Sequence, residues 1–197
     1  MKVYDISQEL TGCVVFPGDP APKAERLHSI SDGAICNLTV FSMCAHNGTH
    51  VDAPYHFINN GKTVEQLDLS KLVGLSYVAQ HSGEVTASDA KAILARAEGL
   101  SDESAKRILI KGEATVTLEA AKVFADFGIS LIGNESQTVG PEDGPIEVHN
   151  LLLGKEIVLL EGIRLQDVPE GVYLLCAAPI SIKGADGSPC RAVLVEL

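Results

Sequence analysis

Between residues 107 and 161 the chain alternates short apolar runs with helix-patterned ones, and no other feature restricts the fold as much. The runs "RILIK", "ISLIG" and "EIVLLEG" have the length and the apolar, partly β-branched content of strands. The first two flank "TLEAAKVFADFG", with Thr117 as N-cap, Ala121 and Phe124 on one face and Gly128 as its stop. A helix over "IEVHNLLLG" leads into the third. Another precedes the series, "TASDAKAILARAEG", with Thr86 as N-cap, Asp89 at the third helical position, apolar spacing at Ala90, Ile93 and Leu94, and a stop at Gly99. Strand, helix and strand at this spacing make a parallel pair joined by a crossover helix, because parallel strands cannot be linked by a tight turn.

Further strands are read at "KVYDIS", "VGLSYVAQH", "GVYLLCAAP" and "AVLVEL". "FPGDPAP" is a Pro/Gly loop, and "AICNLTVFSMCAH" reads as one long β-type run. The expectation is an α/β chain with a strand-rich mixed sheet and about three helices. Repeats, low-complexity tracts and breaks in charge are absent, so residues 1–197 are expected to form a single domain. A chain of 197 residues can bury roughly 70% of its unfolded surface.

Hydrophobic residues at 46% and charged residues at 21% are globular values and argue against disorder. The net charge of −11 argues against nucleic acid, which needs clustered Lys and Arg, and against an anionic membrane surface. No apolar run reaches 18 residues, and "MKVYDISQEL" lacks the apolar core of a signal peptide, which points to the cytoplasm. The five cysteines, Cys13, Cys36, Cys44, Cys176 and Cys190, show no CxxC spacing and read as free thiols. Cys36, Cys44 and Cys176 lie in apolar runs and are expected in the core.

Three of the six histidines fall within "HNGTHVDAPYHF", His46 to Phe57. His50 and Asp52 are two apart and share a side of an extended segment. Asn47-Gly48 is a turn signal that could bring His46 back beside them. Two imidazoles and a carboxylate converging in this way suit a first-row divalent ion with positions left open. Spacing alone does not separate that from a histidine-rich turn, since neither HExxH nor CxxC supports it. His28 and His81 stand apart and read as structural or exposed. A second clue lies in "VHNLLLGKEIVLLEG", where His149 stands at a helix start and Glu161 closes an apolar strand. A carboxylate there either reaches solvent or is buried with a partner, and a metal would supply one.

With these residues in view the chain resembles the cyclase family of metal-dependent hydrolases, which includes bacterial kynurenine formamidases and isatin hydrolases. The family pattern His-x-Gly-Thr-His-x-Asp-x-Pro-x-His is met at every fixed position by "HNGTHVDAPYH". "YDISQEL…FPGDP" is similar to the family's amino-terminal segment, "HNLLLGKEIVLLEGIRLQDV" to its second metal-binding segment, and "GADGSPCRAVLVEL" to its carboxy-terminal one. The resemblance implies a swivelling β/β/α-type fold, with His46, His50, Asp52, His149 and Glu161 as metal ligands and Asp52 placed to bridge if two ions bind. It implies His56 as the proton-transfer residue, with a further ligand as the other reading. Phe16, in "FPGDP", is placed at the substrate site, or else simply covers the core beside a turn. Homodimers or homotetramers are implied as well, with the amino-terminal segment able to complete a neighbour's site.

The activity implied is hydrolysis of an amide or cyclic amide by metal-activated water, with N-formylkynurenine as one candidate among small-molecule substrates. Zinc is the default ion for such ligands, and manganese competes because the site has no thiolate. There are departures from the formamidases. The strand "RILIK" usually continues into a long pocket-shaping loop, whereas here Lys111 is followed at once by "GEATVTLEAAKVF". Gly133, Glu135 and Thr138 stand where Gly-x-Asp-x-x-Ser is usual, and Trp is absent. Two other readings compete. A non-catalytic metal- or small-molecule-binding member with a truncated substrate loop would keep the ligands but need no base. A thiol enzyme using Cys44 would work without metal.

Overall fold

The computed structural model describes all 197 residues, Met1–Leu197. In chain order the strands are β1 (Lys2–Asp5), β2 (Lys23–His28), β3 (Leu38–Ser42), β4 (His50–Asp52), β5 (Val73–Gln80), β6 (Gly83–Val85), β7 (Arg107–Lys111), β8 (Ala114–Val116), β9 (Leu131–Asn134), β10 (Val158–Glu161), β11 (Gly171–Cys176), β12 (Gly187–Pro189) and β13 (Val193–Glu196). The helices are α1 (Ala87–Leu100), α2 (Leu118–Phe127) and α3 (Ile146–Gly154).

Nine strands form one mixed sheet in the order β1-β13-β11-β5-β7-β9-β10-β4-β12. Its centre, β5-β7-β9-β10, is parallel throughout, and α1, α2 and α3 are the three crossovers that the alternating sequence predicts. The outer strands are antiparallel to their neighbours.

Because side chains alternate along a strand, each central strand serves two cores. Tyr77, Ala79, Ile108, Ile110, Ile132 and Leu159 face the helices, against Ile93 and Leu94 of α1, Phe124 of α2 and Leu152 of α3. Val78, Leu109, Leu131, Val158 and Leu160 face the other way. There no helix covers them. The sheet curls, so that Val51 of β4, Leu175 of β11 and Leu194 of β13 close over them instead. Helices on one face and the sheet's own ends on the other make the β/β/α layering, within the expected α/β class.

Local signals set the helix ends. Thr86 and Asp89 form a reciprocal capping box: Thr86 Oγ1 accepts from the Asp89 amide at 3.3 Å and Asp89 Oδ2 accepts from the Thr86 amide at 2.9 Å. Gly128, at φ 79°, closes α2 in the left-handed conformation expected of it. Gly99 does not stop α1, which continues through Leu100 and ends at an extended Ser101. No helix is long and apolar enough to cross a membrane.

The run "AICNLTVFSMCAH" needs correction. Only Leu38–Ser42 is strand, and it pairs with Lys23–His28 as a separate two-stranded hairpin, exposed along its whole length. Its residues favour extended backbone, but they join neither of the two cores. The expected core positions of the cysteines also fail in part. Cys36 and Cys176 are exposed and Cys44 is half-buried, and all five thiols are free. Cys176 ends β11 just after the buried Leu175, and alternation turns it outward. Strands β6, β8 and β12 have three residues each, too few for a periodic signal.

Phe124 is fully buried between α2 and the sheet. Replacing it with Ala is expected to cost about 3–5 kcal/mol in urea unfolding, the range for a deleted core aromatic that leaves a cavity. A loss below about 1 kcal/mol, the scale of a volume-conserving swap, would mean that this helix–sheet layer is not well packed.

Candidate metal centre

Strand β4 is only three residues long and lies between β10 and β12, antiparallel to both. Its alternation sends Val51 into the closed core and leaves His50 and Asp52 together on the opposite side. The register sets His50 opposite Glu161, the last residue of β10, so those two side chains also share a face. His149 arrives from the first turn of α3. His46 is returned by the Asn47-Gly48 turn, where Asn47 Oδ1 accepts from the Cys44 amide at 2.8 Å and Gly48 takes φ 66°. Residues 46 to 161 thus converge from two distant segments.

Asp52 is at the middle. Its Oδ1 lies 2.8 Å from His46 Nδ1 and 3.4 Å from His50 Nε2, and its Oδ2 lies 3.7 Å from His149 Nε2. Glu161 reaches His50 Nε2 with Oε2 and His149 Nε2 with Oε1, both at 3.3 Å. The donor atoms fall into three groups, each within 4.8 Å: His46/His50/Asp52 and Asp52/His149/Glu161, which share the buried Asp52, and the less buried His46/His56/Asp186. Asp52 has no exposed surface, Glu161 is 2% exposed, and Asp52 Oδ2 has no hydrogen-bond donor at all. An orphaned oxygen on a fully buried carboxylate is costly unless a cation stands beside it.

The ring nitrogens tell the same story. His50 Nδ1 lies 3.0 Å from the Gly48 carbonyl and His149 Nδ1 lies 2.9 Å from the Pro145 carbonyl. A carbonyl only accepts, so both Nδ1 atoms carry hydrogen and both Nε2 atoms aim at the carboxylates. His46 Nε2 is held at 2.7 Å by Asp186, which leaves Nδ1 toward Asp52. In a neutral ring each inward nitrogen would present a lone pair to a carboxylate. A proton or a metal ion has to stand between them. Burial pushes the His46 pKa down, but Asp186 and Asp52 outweigh it and raise it to about 11. Burial likewise opposes His50, which Asp52 and Glu161 raise to about 9, and His149, which Glu161 raises. Burial would raise Asp52, yet His46 and His50 hold it well below the usual carboxylate range. Three imidazoles and two carboxylates with no thiolate suit a first-row divalent ion.

Beside this group opens a cavity of about 370 Å³, lined by His46, His50, His149 and Glu161 together with Phe16, Cys44, His56, Phe57 and Thr138. His56 is outside the buried donor groups. Its ring stacks on His46, with centroids 3.9 Å apart and planes 25° from parallel, and its Nδ1 lies 3.3 Å from Asp186 Oδ2. Phe16 lines the cavity. Cys44 does too, and its Sγ donates to Asp19 Oδ2 at 3.6 Å rather than to a histidine. His28 and His81 lie elsewhere.

Asp186 is the residue that the sequence does not disclose. In "GADGSP" the Asp-Gly pair carries only a turn signal. Gly187 beside it has a steric reason: a Cβ there would stand 2.6 Å from His46 Cε1.

The sequence model of the Cyclase family, described as "Putative cyclase", matches residues 4–141. A kynurenine formamidase of Erythrobacter litoralis is 32% identical over 213 aligned positions, covering 100% of this chain and 94% of that protein. A solved structure described as a predicted metal-dependent hydrolase from Bacillus stearothermophilus superposes with a TM-score of 0.80 at 27% identity, covering 98% of this chain and 97% of that one. An isatin hydrolase bound to the product analogue thioisatinate has the same fold, with a TM-score of 0.82 at 21% identity over 98% of this chain and 91% of its own.

The raised histidines fix the sign of a pH dependence in metal-free protein. Protonated His50 and His46 stabilise the fold fully below the unfolded pKa of ~6.5. That contribution is lost as pH rises toward about 9 for His50 and about 11 for His46. With chelator present, Tm is expected to fall from pH 7 to 9.5. Added zinc or manganese should raise Tm more at pH 8 than at pH 6, because metal displaces those protons. A chelated Tm that stays flat across this range would contradict the arrangement.

Proposed function

The chain belongs to the Cyclase family of metal-dependent hydrolases, and from that we propose that it hydrolyses a non-peptide C–N bond, in an amide or cyclic amide, within the cavity beside Asp52. The observation that carries this reading is the buried Asp52 carboxylate, which faces two donor groups at once with one oxygen unpartnered. His46, His50 and Asp52 would hold one divalent ion, and Asp52, His149 and Glu161 a second, with zinc or manganese as the ions the ligands suit. Such an ion supplies Lewis acidity, making water more acidic and offsetting charge that develops on a carbonyl oxygen.

The chain's own groups do the rest. Asp52 and Glu161 lie on the buried side of the centre, and the cavity's open side is left to substrate. His56 borders that open side and is 28% exposed. Its ring takes a proton from the attacking water and returns it to the leaving nitrogen, so that the amide gives a carboxylic acid and an amine. Thr138 Oγ1, buried and without a partner, is free to donate to a substrate oxygen. Phe16 and Phe57, two of the chain's five phenylalanines, wall the cavity. They offer an aryl substrate a stacking surface despite the absence of Trp. The kynurenine formamidase relative makes N-formylkynurenine one candidate, and a volume of about 370 Å³ favours a small amide of that kind.

Wild-type protein prepared without chelator is expected to carry one or two equivalents of zinc or manganese by plasma mass spectrometry, and Asp52→Ala to carry none at one or both positions. His56→Ala should keep its metal and lose about 10²–10⁴-fold in kcat, the usual share of a proton-transfer residue. Loss of metal in His56→Ala would make it a ligand. Turnover that survives complete metal removal would sink the reading.

The acidic surface, at net −11, supports a small-molecule enzyme without nucleic-acid or membrane partners, and five free thiols support a reducing, cytoplasmic setting. A homodimer or larger homo-oligomer completes the reading. Leu27, Leu38, Val40 and Phe41 of the β2–β3 hairpin are all more than two-fifths exposed, on a hairpin that joins neither core of its own chain. An isolated hairpin is marginal in water, so it needs a cover that is always present, which a second copy provides. Analytical ultracentrifugation is expected to give at least a dimer and Phe41→Glu a monomer. A wild-type monomer at micromolar concentration would refute the association.

A further inference from the structure

Both ring nitrogens of His46 face carboxylates, Nδ1 toward Asp52 on the buried side and Nε2 toward Asp186 on the outer side. The same Asp186 oxygen, Oδ2, that lies 2.7 Å from His46 Nε2 also lies 3.3 Å from His56 Nδ1. The two rings are stacked, and their outer nitrogens converge on that one atom. Asp186 is itself fixed by backbone. Its carbonyl accepts from the Ala53 amide at 2.9 Å, and the next residue, Gly187, pairs with Asp52 in the β12–β4 ladder. The missing Cβ of Gly187 leaves the gap in which the His46 ring lies.

We propose that Asp186 is a positioning residue for both histidines, holding a metal ligand and the proton-transfer residue in register with each other. A carboxylate only accepts, so His46 donates from Nε2 and His56 from Nδ1. That leaves His46 Nδ1 facing Asp52 as the metal-binding nitrogen. It leaves His56 Nε2 as the nitrogen that exchanges protons with substrate and water. A carboxylate behind a ligand histidine orients the ring and strengthens its donor atom. The same contact on His56 selects the tautomer, as a buried carboxylate does for the general base of a serine hydrolase. One side chain therefore ties the loaded centre to the competent base. The part of this concerning His56 rests on the hydrolase reading, and the part concerning His46 does not.

The test uses Asp186→Asn, His56→Ala and the double variant in the full chain, with Asp186→Ser as a second replacement should Asn fail to fold. Without any substrate, competition with a chromophoric chelator is expected to show zinc or manganese bound about 10–100-fold more weakly in Asp186→Asn. At saturating metal, kcat on the best amide should fall about 10²-fold with KM within about twofold, as for an interaction made in the transition state. In the His56→Ala background the same replacement should lower kcat by no more than about twofold, because the residue through which it acts is gone. The weakened metal binding should persist there. ¹⁵N spectra should show His56 protonated at Nδ1 in the wild type and a mixture of tautomers in Asp186→Asn. Unchanged metal affinity would overturn the His46 role, and kcat losses that multiply in the double variant would overturn the His56 role. A wild type that turns over no amide while Asp186→Asn still loses affinity would instead refute the hydrolase reading and support the His46 role.

Discussion

Asp52 carries a negative charge where water does not reach it, and its surroundings are organised around that charge. An isolated buried carboxylate costs several kcal/mol, more than a domain of this size can spare. Here three imidazoles surround it, each held from behind by an acceptor: the Asp186 carboxylate, the Gly48 carbonyl and the Pro145 carbonyl. Those outer contacts force the inner nitrogens to point at Asp52 and Glu161. The side chains are therefore arranged so that a cation fits among them.

The sheet supplies the rigidity that such an arrangement needs. Strand β4 has hydrogen-bonded neighbours on both sides, so His50 and Asp52 are held on strand backbone rather than on a loop. Behind it, Val51 is locked into the closed core with Leu160 and Leu194. On the other edge of the site, α3 is anchored by Leu152 and Leu153 against the sheet and carries His149 in its first turn. His50, Asp52, His149 and Glu161 thus inherit their positions from well-packed elements, whereas His46 is set by the Asn47-Gly48 turn. The cavity-facing residues Phe16 and Cys44 come from loops and His56 from a single 3₁₀ turn, Pro54–His56, so that part of the cavity wall is built from irregular segments rather than from the sheet.

The hairpin shows the opposite case. Its sequence has the extended preference of a strand, yet it joins no core of this chain. Cys36 is an example: it sits in an apolar run and is exposed, because an apolar run names a need for burial without naming what provides it.

What was legible from the amino-acid order was everything governed by short range. Caps at Thr86 and Thr117, the stop at Gly128, the crossover helices and the pairing of His50 with Asp52 on one side all follow from spacings of a few residues. Glu161 was legible as an anomaly, a carboxylate closing an apolar strand, although spacing alone left its partner open. Asp186 was not legible. It lies 140 residues from His46, in a turn whose composition gives no reason to expect chemistry. Only the antiparallel pairing of β12 with β4 brings it to the rings of His46 and His56. Local periodicity decides which way a side chain points along its own strand. Which distant side chain it meets is decided by sheet register, a property of two segments together that neither segment contains alone.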